Sequence, residues 1–341
     1  MLETLTQKTT MIGSMPQKEA SEALNLLGCY PLSIPAWPQL PKRSFKEAMI
    51  TQYSEGFPGI KVDEINKRIW LERDNSLLEN MAQFYEEFIS ENIDAFSISK
   101  NYAEGLHLFL NNLEKENVKL PFIKGQITGP FTFGLGLSDN EKKPIWFDIN
   151  YRDIVIKGLT MKALWQIKRL EKYADNVIIF MDEPILSALG TPAYIGIQDD
   201  EVISSLDEII TTLKNNGAIC GVHCCGNMDW GVLARTNLDI IAFDAYYYGD
   251  KLTLYPDEIR AFLDRGGILA FGIVPTSSPE NLINENKITI NDKLNRLLDQ
   301  FIGKGIPSEL LKKQMIFTPS CGMGSLSADD SEQVLKLLNN I

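Results

Sequence analysis

Ala218-Ile219-Cys220-Gly221-Val222-His223-Cys224-Cys225-Gly226-Asn227 is the stretch on which the reading of this chain turns. Its short apolar opening, Ala218 to Cys220, reads as a strand, and Gly226 marks where a strand hands over to a loop. Residues two apart on a strand point to the same side. His223 and Cys225 therefore face one way together, and Cys224 the other. An imidazole and a thiolate so placed make half of a tetrahedral zinc site, because zinc takes mixed nitrogen and sulfur ligands. The competing reading is a buried strand end whose cysteines pack as small hydrophobes. With only two histidines and five cysteines in the chain, the pairing of one of each here is informative.

Outward from this stretch the same pattern recurs: a short apolar run, a polar or Gly/Pro break, then a segment of helical periodicity. The runs are Thr9–Ser14, Ala95–Ser99, Phe122–Thr128, Val177–Asp182, Ile219–Cys224, Ile240–Ala245, Ile268–Val274 and Met315–Pro319. Amphipathic stretches such as Leu77–Glu91, Ile154–Tyr173, Asp200–Asn215, Pro256–Arg265 and Asp292–Gly303 separate most of them. Strand candidates joined by helical crossovers predict an α/β chain folded as a (β/α)8 TIM barrel. A barrel needs about 250 residues, so one domain over 1–341 has room for an insertion. The expected insertion is about 28–75, where Tyr30 to Pro41 carries four prolines after Tyr30 and excludes a long helix. It reads as an extended excursion, with a small hairpin, over one mouth of the barrel. A doubly wound open sheet is the competing architecture, but no Gly-x-Gly-x-x-Gly follows the first strand.

Composition bounds the partners. The chain has 341 residues, 44% hydrophobic and 23% charged, with a net charge of -12. That acidity argues against nucleic acid, which needs a basic stripe, and against an anionic membrane surface. The start Met1-Leu2-Glu3 shows no basic segment followed by an apolar one, and no apolar run approaches the roughly 20 residues of a membrane-spanning helix. A cytoplasmic location is the expectation. An odd cysteine count in such a chain suggests thiols or metal ligands rather than a disulfide framework.

In a barrel of this kind the reactive residues sit at the carboxyl ends of the strands, and here those ends are polar. They offer Gly13-Ser14-Met15-Pro16, Gln126-Ile127-Thr128-Gly129-Pro130, Asp182-Glu183-Pro184, His223 to Cys225, Asp244-Ala245-Tyr246 and Ser320-Cys321-Gly322. Ser14, Gln126 and Thr128 also suit plain turns, and an acid after a strand often caps the next helix. Asp182 and Glu183 point to function, since two adjacent carboxylates ending an apolar strand are costly unless a cation or a donor meets them. Barrel closure puts Cys321 on the same rim as His223 and Cys225, making it the natural third zinc ligand. Asp244 is placed as a fourth, oxygen ligand. Cys29 and Cys220 read as plain thiols, Cys224 as facing away, and His107 as an ordinary helix histidine.

The set Ile12-Gly13-Ser14, Gln126 to Pro130, Asp182-Glu183-Pro184, His223-x-Cys225 and Pro319-Ser320-Cys321-Gly322 resembles the catalytic half of cobalamin-independent methionine synthase. It also resembles the related zinc methyltransferases of the uroporphyrinogen decarboxylase-like superfamily. The resemblance runs from residue 10 to about 325. It implies Zn2+ held by His223, Cys225 and Cys321, with Asp244 where methionine synthase has a glutamate. It further implies that Ile12, Gly13, Ser14 and Asp182 contact the amino-acid end of a thiol substrate. Asp182 and Glu183 would be the catalytic carboxylates, pairing with the ammonium or another polar group of the substrate. Ser14 and Gln126 would supply hydrogen bonds, and Tyr246 would line a pocket that differs from the family's. The implied reaction is thiol S-methylation, with a homocysteine-like or coenzyme M-like acceptor. Its donor would be a methyl-folate or a methyl-corrinoid on a protein partner. Two departures stand out: no second, N-terminal barrel fits in this length, and the family's His-Ser-Pro appears as Ser277-Ser278-Pro279. The alternatives are a uroporphyrinogen decarboxylase-like enzyme and a non-catalytic zinc- or corrinoid-binding barrel.

Overall fold

Six of the apolar runs become one parallel sheet in the computed structural model, which describes residues 2–194 and 196–341. A small antiparallel hairpin, β1 (Ile60–Asp63) and β2 (Arg68–Leu71), comes first and stands apart from that sheet. The sheet is β3 (Leu120–Thr128), β4 (Ala174–Asp182), β5 (Ile219–Cys224), β6 (Ile240–Phe243), β7 (Ile268–Val274) and β8 (Met315–Pro319), in sequential order. Sequential parallel strands need crossovers, and helices such as Ile149–Leu170 and Asp199–Asn215 supply them. The longest, Ile149–Leu170, starts where the Asp148 side chain accepts from the amides of Asn150 and Tyr151.

Side chains alternate between two apolar environments. Phe122, Ile178, Phe180, Ile219, Ile240 and Ile316 belong to an inner cluster that also takes in Leu5 and Ile34. Their neighbours Ile123, Ile179, Val222, Ile241, Leu269 and Phe317 pack outward against the helices. Both faces are buried, so the strands are mostly apolar rather than half-polar, except β3, which carries Lys124, Gln126 and Thr128 on its inner face.

The sheet is curled into a half-barrel, and its two edges are linked through irregular chain. The amide of Gln7 donates to Met315 (2.7 Å), that of Phe317 to Lys8 (2.8 Å) and that of Thr10 to Phe317 (3.0 Å), along β8. The Ile34 amide donates to Thr9 (2.9 Å), and the Lys124 amide, on β3, to Pro35 (2.8 Å). The expectation of eight regular strands is thus met by six. Thr9–Ser14 makes isolated bridges only, to Phe317 and Gln39. Proline has no amide hydrogen, so the stretch holding Pro31, Pro35, Pro38 and Pro41 cannot carry a ladder. Ala95–Ser99 is not a strand either: Ile93–Phe96 is a 3-10 turn, with Phe96 and Ile98 buried. The backbone of β3 that it would need is already paired with Pro35 and Ala36. Among the described residues no helix is long and apolar enough to cross a membrane.

Candidate metal centre and its cavity

β5 and β8 both point their carboxyl ends at one spot. His223 lies on β5 with its side chain on the inner face, Cys225 follows the strand, and Cys321 follows β8 by two residues. One ligand atom from each of His223, Cys225 and Cys321 falls within 4.8 Å of the others. The imidazole is buried, and neither ring nitrogen has a hydrogen-bond partner. Leaving both nitrogens dry and unpaired is costly unless something binds them. The two half-buried thiols lie side by side: the Cys321 thiol and His223 hold Cys225 below the ordinary thiol range. Cys225 and burial push Cys321 up in turn. One unpartnered imidazole and two soft sulfurs, converging on one point, fit a zinc ion.

The other cysteines face elsewhere. Cys224 points into the helical layer, its thiol near the Gly226 carbonyl (3.8 Å) and pushed by burial to about 12. Cys220 is buried, its thiol 3.9 Å from the Ile210 carbonyl, and Cys29 is exposed. His107 contacts the Ile98 carbonyl (2.8 Å), away from the site.

A cavity of about 420 Å³ opens above the three ligands, lined also by Ile12, Ser14 and Asp182. Asp182 is the register partner of His223 on the adjacent strand. Its carboxylate is buried, Oδ1 has no partner, and burial pushes it to about 6 against the pull of His223 and Lys124. Ser14 joins the cavity's two loops: its carbonyl accepts from Met323 (2.8 Å) and its hydroxyl from Gly324 (3.2 Å). Gly13 has no room for a side chain, since a Cβ there would sit 2.3 Å from Gln39 Oε1.

No family model matches this sequence, and no curated protein matches it either. Among solved structures, a B12-independent methionine synthase from Shewanella sp. W3-18-1, in complex with selenomethionine, superposes with a TM-score of 0.57. That alignment covers 98% of this chain and 96% of the other at 17% identity. The fold is similar to that of a B12-independent methionine synthase. A Xaa-Pro dipeptidase with bound methionine aligns over 69% of this chain and 56% of its own, at 13% identity and a TM-score of 0.32, too low to carry an argument.

Within this methionine synthase-like fold the remaining sequence candidates divide. Glu183, adjacent to Asp182, faces the other side of the strand and does not line the cavity. Its oxygens accept from the amides of Phe131 and Thr132 (both 2.8 Å) and from the Thr132 hydroxyl (2.7 Å). It anchors the start of the helix Pro130–Gly136. Asp244 caps the helix Ala245–Leu252 by accepting from the Tyr247 amide (2.9 Å). Burial pushes its carboxyl to about 7, and it feels His223 and Cys225, but it lies outside the three converging ligands. Gln126 is buried below the cavity, donating to the Trp37 carbonyl (3.1 Å). Tyr246 is turned away, its hydroxyl on Glu285 (2.6 Å) and its ring under Lys293.

Sequence reasoning passed over Lys124, Gln39 and Glu47. Lys124 carried a signal: a lysine inside an apolar run, two residues from Gln126 and four from Thr128, shares their face. Gln39 and Glu47 carried none, because they lie in irregular chain. Gln39 donates to Gln52 (2.6 Å) and Tyr53 (3.1 Å), and the buried Glu47 accepts from the Leu40 amide (3.0 Å).

Proposed function

We propose that this chain is a zinc-dependent methyltransferase that moves a methyl group from a methyl-corrinoid or methyl-folate type donor to a thiol of the homocysteine or coenzyme M kind. The observation that carries the reading is the convergence of His223, Cys225 and Cys321 at the floor of a cavity, with both imidazole nitrogens unpartnered. Three protein ligands leave a position for substrate, the pattern of catalytic rather than structural zinc. Bound there, zinc would keep the substrate thiol deprotonated at neutral pH, where a free thiol of pKa about 8.5 is mostly protonated. The free Oδ1 of Asp182 suits an ammonium or another donor on the substrate. The Ile12–Ser14 turn forms part of the wall, and Pro41, Met49 and Pro184 add apolar surface to the same cavity. Asp244 stands in reserve as an exchangeable ligand.

A decarboxylase of the uroporphyrinogen type fits less well. Its substrate carries several carboxylates, and Lys42 is the only lysine or arginine among the described residues lining the cavity. Protein purified without chelator is expected to carry about one zinc per chain, and His223→Ala and Cys321→Ala protein far less. Methyl transfer to L-homocysteine or coenzyme M from methylcobalamin or methyl-folate is then the direct assay. Full zinc content in both variants would overturn the ligand assignment. Zinc without any thiol methylation would leave a binding barrel instead.

A further inference from the structure

Lys124 lies inside the curl of the sheet, fully buried, on the face it shares with Phe122, Gln126 and Thr128. Its Nζ donates to the Ile12 carbonyl (2.6 Å) and to Gln126 Oε1 (3.1 Å), and sits 4.7 Å from the centre of the Phe180 ring. Its backbone pairs with Pro35. One residue thereby ties β3 to both irregular stretches of the seam. Lys124 is level with Ile178, four residues short of Asp182 along β4, and so lies deeper than the cavity floor. Among the described residues no carboxylate forms a salt bridge with it; the opposite charge it feels is that of Asp182.

A buried ammonium without an ion-pair partner is expensive, and a methionine would fill the same space without that cost. The charge therefore needs a reason, and its surroundings supply one. Asp182 lies on the face of β4 that Ile178, the register partner of Lys124, shares with Phe180, and it carries an unpaired oxygen there. Ile12, whose carbonyl the ammonium holds, lines the same cavity. We propose that Lys124 is a positioning residue, which fixes the Ile12–Ser14 turn from below and holds the Asp182 carboxylate ready for the cationic end of the substrate. This rests on the thiol-methyltransferase reading above.

The test is titration calorimetry on zinc-loaded protein with L-homocysteine and with 4-mercaptobutyrate, the same thiol without the amino group. Lys124→Met is expected to weaken L-homocysteine about tenfold and 4-mercaptobutyrate less than about twofold, at unchanged zinc content. Lys124→Arg, which keeps the charge, should recover part of the loss. Added to Asp182→Asn, the Lys124→Met change should cost clearly less than the tenfold it costs alone, because part of its effect runs through that carboxylate. Equal losses for both thiols, no loss for L-homocysteine, or a further tenfold loss in the Asp182→Asn background would each overturn the proposal. If Lys124→Met alone does not fold, the double variant, which leaves no lone buried cation, decides by comparison with Asp182→Asn. Failure of the double variant to fold would make Lys124 a scaffold residue and also overturn it. Wild-type protein that binds neither thiol would instead overturn the methyltransferase reading.

Discussion

Replacing Glu183 by alanine separates a carboxylate that serves the substrate from one that serves the fold. Three donors converge on it, the amides of Phe131 and Thr132 and the Thr132 hydroxyl, and the side chain is wholly buried. Each buried donor left without its acceptor costs about 1–3 kcal/mol. Allowing for partial recovery by water entering the gap, Glu183→Ala should lose about 3–5 kcal/mol. Glu183→Gln keeps one acceptor oxygen but sets an NH2 against a donor, so about 2 kcal/mol is expected. Urea unfolding of zinc-loaded protein at about pH 8 reads the difference as a lowered midpoint. Below its midpoint, Glu183→Ala should still hold zinc and bind L-homocysteine within about twofold, since the residue does not line the cavity. A variant as stable as the wild type but unable to bind the thiol would refute this placement of Glu183.

Two further outcomes follow from the same structure. Burial pushes both Glu47 and Glu183 up to about 7, so between about pH 4.5 and 7 the native chain holds protons that the unfolded chain has released. Their contribution to stability is therefore greatest on the acid side and falls as pH rises through that window. Urea midpoints measured across it should decline more steeply for wild type than for Glu183→Gln, and parallel slopes would contradict the assignment. Gly13→Ala would place a Cβ 2.3 Å from Gln39 Oε1, and Gln39 is held by Gln52 and Tyr53. It should cost about 2 kcal/mol in urea unfolding and weaken thiol binding about tenfold; unchanged values for both would show that the turn yields easily.

β3 to β8 were legible because they are buried on both faces and each carries an apolar run, which the polar residues of β3 and the ends of β4 interrupt without hiding. The bounds of β5, β7 and β8 match the expected Ile219–Cys224, Ile268–Val274 and Met315–Pro319. The other two expected strands failed for a reason outside local propensity. Ala95–Ser99 has a strand's composition, but a proline-rich segment from elsewhere in the chain pairs with β3 in its place. The convergence of His223, Cys225 and Cys321 was readable from strand alternation plus one long-range pairing. The same alternation, applied to Asp182 and Glu183, puts neighbours on opposite faces and separates their roles. Asp244 satisfies the cap of a following helix, which its position after β6 equally allowed.

The seam between Lys8 and Phe317 also governs the order of events during synthesis. A ribosome that has delivered five strands has exposed His223 and Cys225 but neither the last strand nor Cys321. Until then the segment Gln7–Thr10 has no edge to lie against, and His223 and Cys225 lack the third member of their group. The emergence of β8 thus completes the seam and the His223, Cys225 and Cys321 cluster together, so a change that unseats this strand should loosen both at once.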